Sequence, residues 1–208
     1  MSSGGRPGLQ TMTPFVDLAP AADRVVRLLD AITDDRLDAP TPCAETTVGN
    51  LLSHLLGLAE AFRGAAAKES DPGPPPAVAP PLDPHWRRLL PQRLDALAAA
   101  WRDPAAREGT ARAGGVEMPA AVMALVALDE LVLHAWDIAR ATGQVYDADP
   151  ASVQACFAFV APAVRPEGVP GLFGPPVPVP DDAPALDRLV GLSGRDPSWT
   201  PAAVGATR

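Results

Sequence analysis

Four stretches of the chain repeat apolar residues at helical rather than alternating spacing. In the first, Val16, Ala19, Val25, Val26, Leu28, Leu29 and Ile32 recur at intervals of three and four, the signature of one buried helical face. Thr13-Pro14 supplies a capping residue followed by a first-turn proline, and Pro20 shortens or bends the first turns. The second stretch, "VGNLLSHLLGLAEAFRGAAA", places Leu51, His54, Leu55, Leu58 and Phe62 on one face, with Thr46 or Thr47 as its cap. The third, "HWRRLLPQRLDALAAAW", follows Asp83-Pro84. The fourth is the longest, from near Pro119 to "ATGQ", where Gly143 suits a left-handed terminus. A further helix is expected after Asp149-Pro150, and a short one over 181–191.

Strand signals are thin. "VYDA" is short, and the prolines of "PVPVP" remove the donors that a ladder needs. The pattern therefore predicts an all-α protein, a four-helix bundle with a short helical and proline-rich C-terminal appendage. Residues 1–12 are polar and glycine-rich and read as a flexible tail, 13–165 as the helical bundle. Residues 166–208 read as a proline-rich strap, short helix and tail, with Leu172, Phe173 and Val177 packing the strap across the bundle.

Composition narrows the function classes. Of 208 residues 47% are hydrophobic, which supports a folded core, and the 26 prolines crowd into the connections. The net charge of -8, with no Lys/Arg block, argues against a nucleic-acid partner. The N-terminus lacks the pattern of a signal peptide. The most apolar stretch carries Asp129, Glu130, His134 and Asp137, which make a bilayer location costly. A small acidic cytoplasmic protein is the expectation, monomer or homodimer. Two cysteines, Cys43 and Cys156, do not make a disulfide framework.

The chemistry concentrates in "ELVLHAWDIARATGQ". Glu130 and His134 stand four apart and share a helical face, and Asp137 lies close to the same stripe. A buried carboxylate and imidazole need partners: each other, as an ion pair, or a divalent cation. His54, mid-helix among leucines, offers a third ligand, and a His, Glu, His set matches a catalytic zinc pattern with one open position. Read alone, His54 is also a hydrogen-bonded core histidine. His85, beside Arg87 and Arg88, reads as solvated; Cys43 as a reactive thiolate or an apolar plug; Cys156 as packing; Trp136 as pocket wall or core. No phosphate loop, nucleophile elbow or close cysteine pair is present.

Three motifs, "PTPCAETTVGNLLSHLLG", "ELVLHAWDIARATGQ" and "LFGPPVPVPDDAPALDRLVGLSGRDPSW", carry a resemblance over roughly residues 14 to 199. Together they resemble the actinobacterial metal-binding family related to the N-terminal domain of mycothiol-dependent maleylpyruvate isomerase, in the DinB/YfiT-like superfamily. The resemblance implies a four-helix bundle holding a divalent metal, commonly Zn2+ and sometimes Ni2+, through His54, Glu130 and His134; beside these ligands Asp137 is a candidate for orienting an imidazole N–H. It departs at Thr46, where relatives often carry tryptophan, and at Asn50, where they often carry an acidic residue. It also implies a small-molecule thiol (mycothiol, bacillithiol or glutathione) as co-substrate and a small electrophile as partner, in S-transfer or isomerisation. The isomerase itself carries a further C-terminal domain. The alternative is a non-catalytic metal-binding or biosynthetic accessory protein that retains the site.

Overall fold

A computed structural model describes residues 16–76, 80–169 and 172–201. Four helices form the bundle: α1 (Ala19–Leu29), α2 (Val48–Ala66), α3 (Trp86–Arg102) and α4 (Ala120–Thr142). α1 and α2 each pack against both α3 and α4, so α1 faces α2 across one diagonal and α3 faces α4 across the other. α5 (Pro150–Val160) lies on α4, and α6 (Ala185–Leu192) lies on α5.

Local chemistry sets most of the boundaries. The Thr47 hydroxyl accepts the Asn50 N–H at 3.3 Å, and the Asp149 carboxylate accepts that of Ser152 at 2.8 Å, capping α2 and α5. Gly143 ends α4 with φ of 73°. Thr13-Pro14 lies outside the described residues; α1 begins at Ala19, with Pro20 in its first turn. Asp83 caps the turn before α3 rather than the helix, accepting the His85 N–H at 2.7 Å.

One element departs from the expected pattern. β1 (Thr110–Ala113) and β2 (Val116–Pro119) form an antiparallel hairpin around Gly114 and Gly115, whose φ of 60° and 82° is the paired left-handed geometry of a two-residue turn. The strands are too short for alternation to reveal them, but the Gly-Gly pair is their signal. Lys68 anchors this region by donating to the carbonyls of Ala106, Glu108 and Thr110 at 2.8, 2.9 and 3.1 Å.

α4 is the central helix. From Ala127 to Ala139 only Glu130 is more than marginally exposed. Trp136 is a core residue, Cys156 is buried, and His85 is exposed. Both cysteines are free thiols. Among the described residues no helix is long and apolar enough to cross a membrane.

The C-terminal segment differs in detail from expectation. Phe173 is buried and Val177 half-buried, but Leu172 is exposed: the tight turn that bonds Val169 to Phe173 turns only one of the two side chains inward. The Val177 N–H donates to the Gly191 carbonyl at 2.9 Å, tying the strap to α6. After α6 the chain turns through Gly194, at φ of 84°, where an added Cβ would lie 2.6 Å from the Cα of Gly174.

The surroundings of Gly194 and Gly57 predict opposite outcomes for their substitution. Gly194→Ala should cost about 2 kcal/mol or more, because it adds left-handed strain to a backbone clash. Gly57→Ala, in a solvent-facing part of α2 where an added Cβ meets nothing within 4 Å, should stabilise by roughly 0.5–1 kcal/mol. Urea denaturation of the two variants checks both signs.

Candidate metal centre

The site is assembled from α2, α4, the loop before α2 and the turn after α6. α4 turns Glu130, His134 and Asp137 along one side; α2 brings His54 opposite. The Glu130 Oε2 lies 2.8 Å from His134 Nε2 and 3.3 Å from His54 Nε2. The two imidazole rings meet edge to face, with centroids 5.1 Å apart. Donor atoms of His54, Glu130 and His134 all lie within 4.8 Å of one another.

His54 is not the core histidine that its leucine neighbours suggest. Leu51, Leu55, Leu58 and Phe62 form the buried stripe, whereas His54 belongs with Asn50, Gly57 and Glu60 on the exposed one. Adjacent positions on a helix diverge by about 100°, so flanking leucines do not imply burial. The side chains are graded in exposure: 46% for His54, 25% for Glu130 and 9% for His134. The cluster is thus open to solvent at one end and closed at the other.

Behind it lie two more charged side chains, Asp137 and Arg195. His134 Nδ1 is 3.0 Å from Asp137 Oδ2. Asp137 is wholly buried and receives a two-pronged contact from Arg195, Nε to Oδ1 at 2.8 Å and Nη2 to Oδ2 at 2.9 Å. Burial opposes charging the His134 imidazole, but Asp137 and Glu130 outweigh it and raise its pKa to about 10. Burial also opposes ionisation of Glu130 and Asp137. Both are nonetheless held below the usual carboxylate range, Glu130 by the imidazoles of His134 and His54, Asp137 by His134 and Arg195.

Two further groups stand close by. Cys43, Asp137 and His134 form another set with donor atoms within 4.8 Å. The loop carrying Cys43 is closed by the Thr41 hydroxyl, which donates to the Thr46 carbonyl at 2.9 Å, and by the Thr46 N–H, which donates to the Cys43 carbonyl at 3.1 Å. A cation in that set would compete with the Arg195 guanidinium for Asp137, a conflict absent at His54, Glu130 and His134. Asp129 is buried on α4, with Oδ1 lacking a protein partner. Burial, reinforced by Glu130, raises its pKa to about 7. Sequence pattern did not single out Arg195: it belongs to "LSGRDPSW", 58 positions from the carboxylate it holds, and no periodicity relates the two.

Comparison with known proteins bears on the same residues. The family model for the mycothiol maleylpyruvate isomerase N-terminal domain matches residues 18–139, a span that contains His54, Glu130, His134 and Asp137 but ends before Arg195. Two uncharacterised proteins of Mycobacterium tuberculosis, from strains CDC 1551 / Oshkosh and ATCC 25618 / H37Rv, are each 32% identical over 199 residues, covering 88% of this chain and 98% of theirs. The solved structure of a mycothiol-dependent maleylpyruvate isomerase aligns with a TM-score of 0.49 at 18% identity, over 70% of this chain and 66% of that one.

The Asp129 environment generates a pH-dependent prediction. Its pKa in the folded protein is raised from 3.8 to about 7, so between these values the folded state holds a proton that the unfolded state has released. Stability therefore falls as pH rises through this window. Asp129→Asn removes the ionisation, so its stability relative to wild type should improve by roughly 3 kcal/mol between pH 4 and pH 8. Denaturation at the two pH values measures it; a constant difference would show that Asp129 titrates normally.

Proposed function

The chain belongs to the family of the mycothiol maleylpyruvate isomerase N-terminal domain, and from that premise we propose a divalent-metal-dependent protein that acts on a small electrophile with a low-molecular-weight thiol, mycothiol first among them. The observation that carries the proposal is the convergence of two imidazoles and one carboxylate, exposed at one end, from two helices of the bundle. Nitrogen and oxygen donors about 2.0–2.2 Å from a common ion are a zinc-type set, and the Glu130 oxygen, 2.8 Å from His134 Nε2 and 3.3 Å from His54 Nε2, is as close to both nitrogens as such a set requires. Zn2+ is the first choice and Ni2+ the second. His54, Glu130 and His134 are the proposed ligands.

When bound, the ion would supply a Lewis-acidic position open to an exogenous thiol and would favour its thiolate near neutral pH. The chain's own residues do the rest. Asp137 accepts from His134 Nδ1 at 3.0 Å and so directs Nε2 toward Glu130 and His54. Glu130 brings a negative charge that lowers the cost of gathering cationic groups there. The half-exposed His54 edge leaves a route for a small molecule, while the buried His134 and Asp137 close the opposite end. The thiolate sulfur attacks an electrophilic carbon, forming a C–S bond as the displaced electron pair moves onto the acceptor, which then takes a proton. In S-transfer the adduct is released; in isomerisation the C–S bond breaks again after bond rotation and the thiol is regenerated. A cytoplasmic setting, where such thiols are kept reduced, belongs to the same proposal.

Two measurements test it. Elemental analysis after metal supplementation should find one divalent ion per chain, and His134→Ala should weaken retention by about 100-fold or more while leaving the helical content intact. Equal, negligible binding by wild type and variant would reject the site. The cobalt-substituted protein should then change its visible spectrum on adding mycothiol, with glutathione and bacillithiol compared alongside. Mass spectrometry should detect thiol adducts of an electrophile panel, lost in His54→Ala but retained in Cys43→Ala. Metal binding without spectral change or adduct would favour the non-catalytic alternative.

A further inference from the structure

The wholly buried Asp137 is shared between a residue of the bundle and a residue that the chain supplies only after α6. Its Oδ2 faces both His134 Nδ1, at 3.0 Å, and Arg195 Nη2, at 2.9 Å, while Oδ1 faces Arg195 Nε at 2.8 Å. The guanidinium itself is held by Ser193, whose hydroxyl lies 3.1 Å from Nη1 and donates to the Val190 carbonyl at 2.7 Å. The Gly174–Gly194 contact fixes the backbone one residue before Arg195.

From this arrangement we infer that Arg195 is a positioning residue of the metal centre, acting through Asp137 on His134, and that the C-terminal segment is thereby a working part of the site. The inference rests on the metal reading given above.

A carboxylate held by one imidazole alone can rotate about its Cβ–Cγ bond and carry the imidazole with it. The planar fork of Arg195 occupies both oxygens at once and so fixes the carboxylate plane. The Asp137 lone pair then points at Nδ1 in one direction only, and Nε2 is fixed toward Glu130 and His54. Lysine would bring charge without the fork. Methionine would bring neither.

The test compares Arg195→Met, Arg195→Lys and Arg140→Met. Arg140 holds the end of the same segment through the carbonyls of Trp199 and Pro197 at 2.6 and 3.2 Å. Its loss should loosen that segment without touching Asp137. Cobalt(II) titration is expected to show affinity weakened about 10- to 100-fold in Arg195→Met with a shifted visible spectrum, an intermediate loss in Arg195→Lys, and about wild-type behaviour in Arg140→Met. Wild-type affinity and spectrum in Arg195→Met, or an equal loss in Arg140→Met, would overturn the positioning role in favour of general segment packing. A second readout needs no metal. In the chelated protein, the ring N–H proton of His134 should exchange slowly in wild type and Arg140→Met and rapidly in Arg195→Met; slow exchange in Arg195→Met overturns the inference. If wild type takes up no cobalt, the metal reading fails while this proton still decides the contact. If Arg195→Met does not fold, Arg195→Lys carries the test, with wild-type values in both readouts counting against it.

Discussion

A carboxylate with no exposed surface has to be neutralised inside the protein, and Asp137 is such a group. Leaving it ionised and alone would cost several kcal/mol, so the fold must bring it positive partners. It brings two, from different distances along the chain. His134 arrives for free from the helical geometry of α4, one turn away. Arg195 requires α5, the proline-rich strap, α6 and a glycine turn to return the chain to the same point. The C-terminal segment therefore does more than cover apolar surface: it delivers a cation to the buried carboxylate of α4. Phe173 anchors the segment by burial, the Val177 N–H ties it to α6, and the Gly174–Gly194 contact sets where it turns.

The same arrangement explains the polarity of the cluster. Charge lies deepest at Asp137, and accessibility rises outward through His134 and Glu130 to His54. A rigid interior with a reachable rim is what a site binding an exchangeable small molecule requires, because orientation is fixed from behind while access stays open in front. It also discriminates between the two donor sets that share His134. Cys43 adds a sulfur on the side where Arg195 already carries positive charge, whereas His54 adds a nitrogen on the side where Glu130 supplies negative charge. A cation is favoured on the second side.

Much of this was legible in the residues themselves. The helices follow from apolar spacing, and the caps Thr47, Asp149 and Gly143 mark boundaries that local chemistry enforces. Glu130, His134 and Asp137 could be placed together because one helix fixes their relation at intervals of four and three. What escaped depended on tertiary contact. The exposure of His54 is set by which side of α2 the bundle covers, and its leucine neighbours point elsewhere. The hairpin is held by a two-glycine turn and by Lys68 reaching three carbonyls, neither of which has a periodicity. Arg195 meets Asp137 only once the strap has run its course. Leu172 and Phe173 are adjacent and equally apolar, yet one is exposed and the other buried, because a tight turn can direct only one of them inward.

Asp129 and Asp137 make the role of environment explicit. Both are aspartates on α4, two turns apart, and both are buried. The desolvation that acts on them is of one kind, but its outcome has opposite sign. Asp137 faces a guanidinium and an imidazole, and its pKa falls. Asp129 faces the Cys156 thiol, feels the negative charge of Glu130, has one oxygen without a partner, and its pKa rises to about 7. Burial alone therefore does not decide whether a carboxylate in this bundle is charged; the nearest cation does. Arg195 lies within electrostatic range of both aspartates but makes its two-pronged contact with only one. That choice keeps ionised the carboxylate behind His134, and leaves the other as a protonatable group at the junction of α4 and α5.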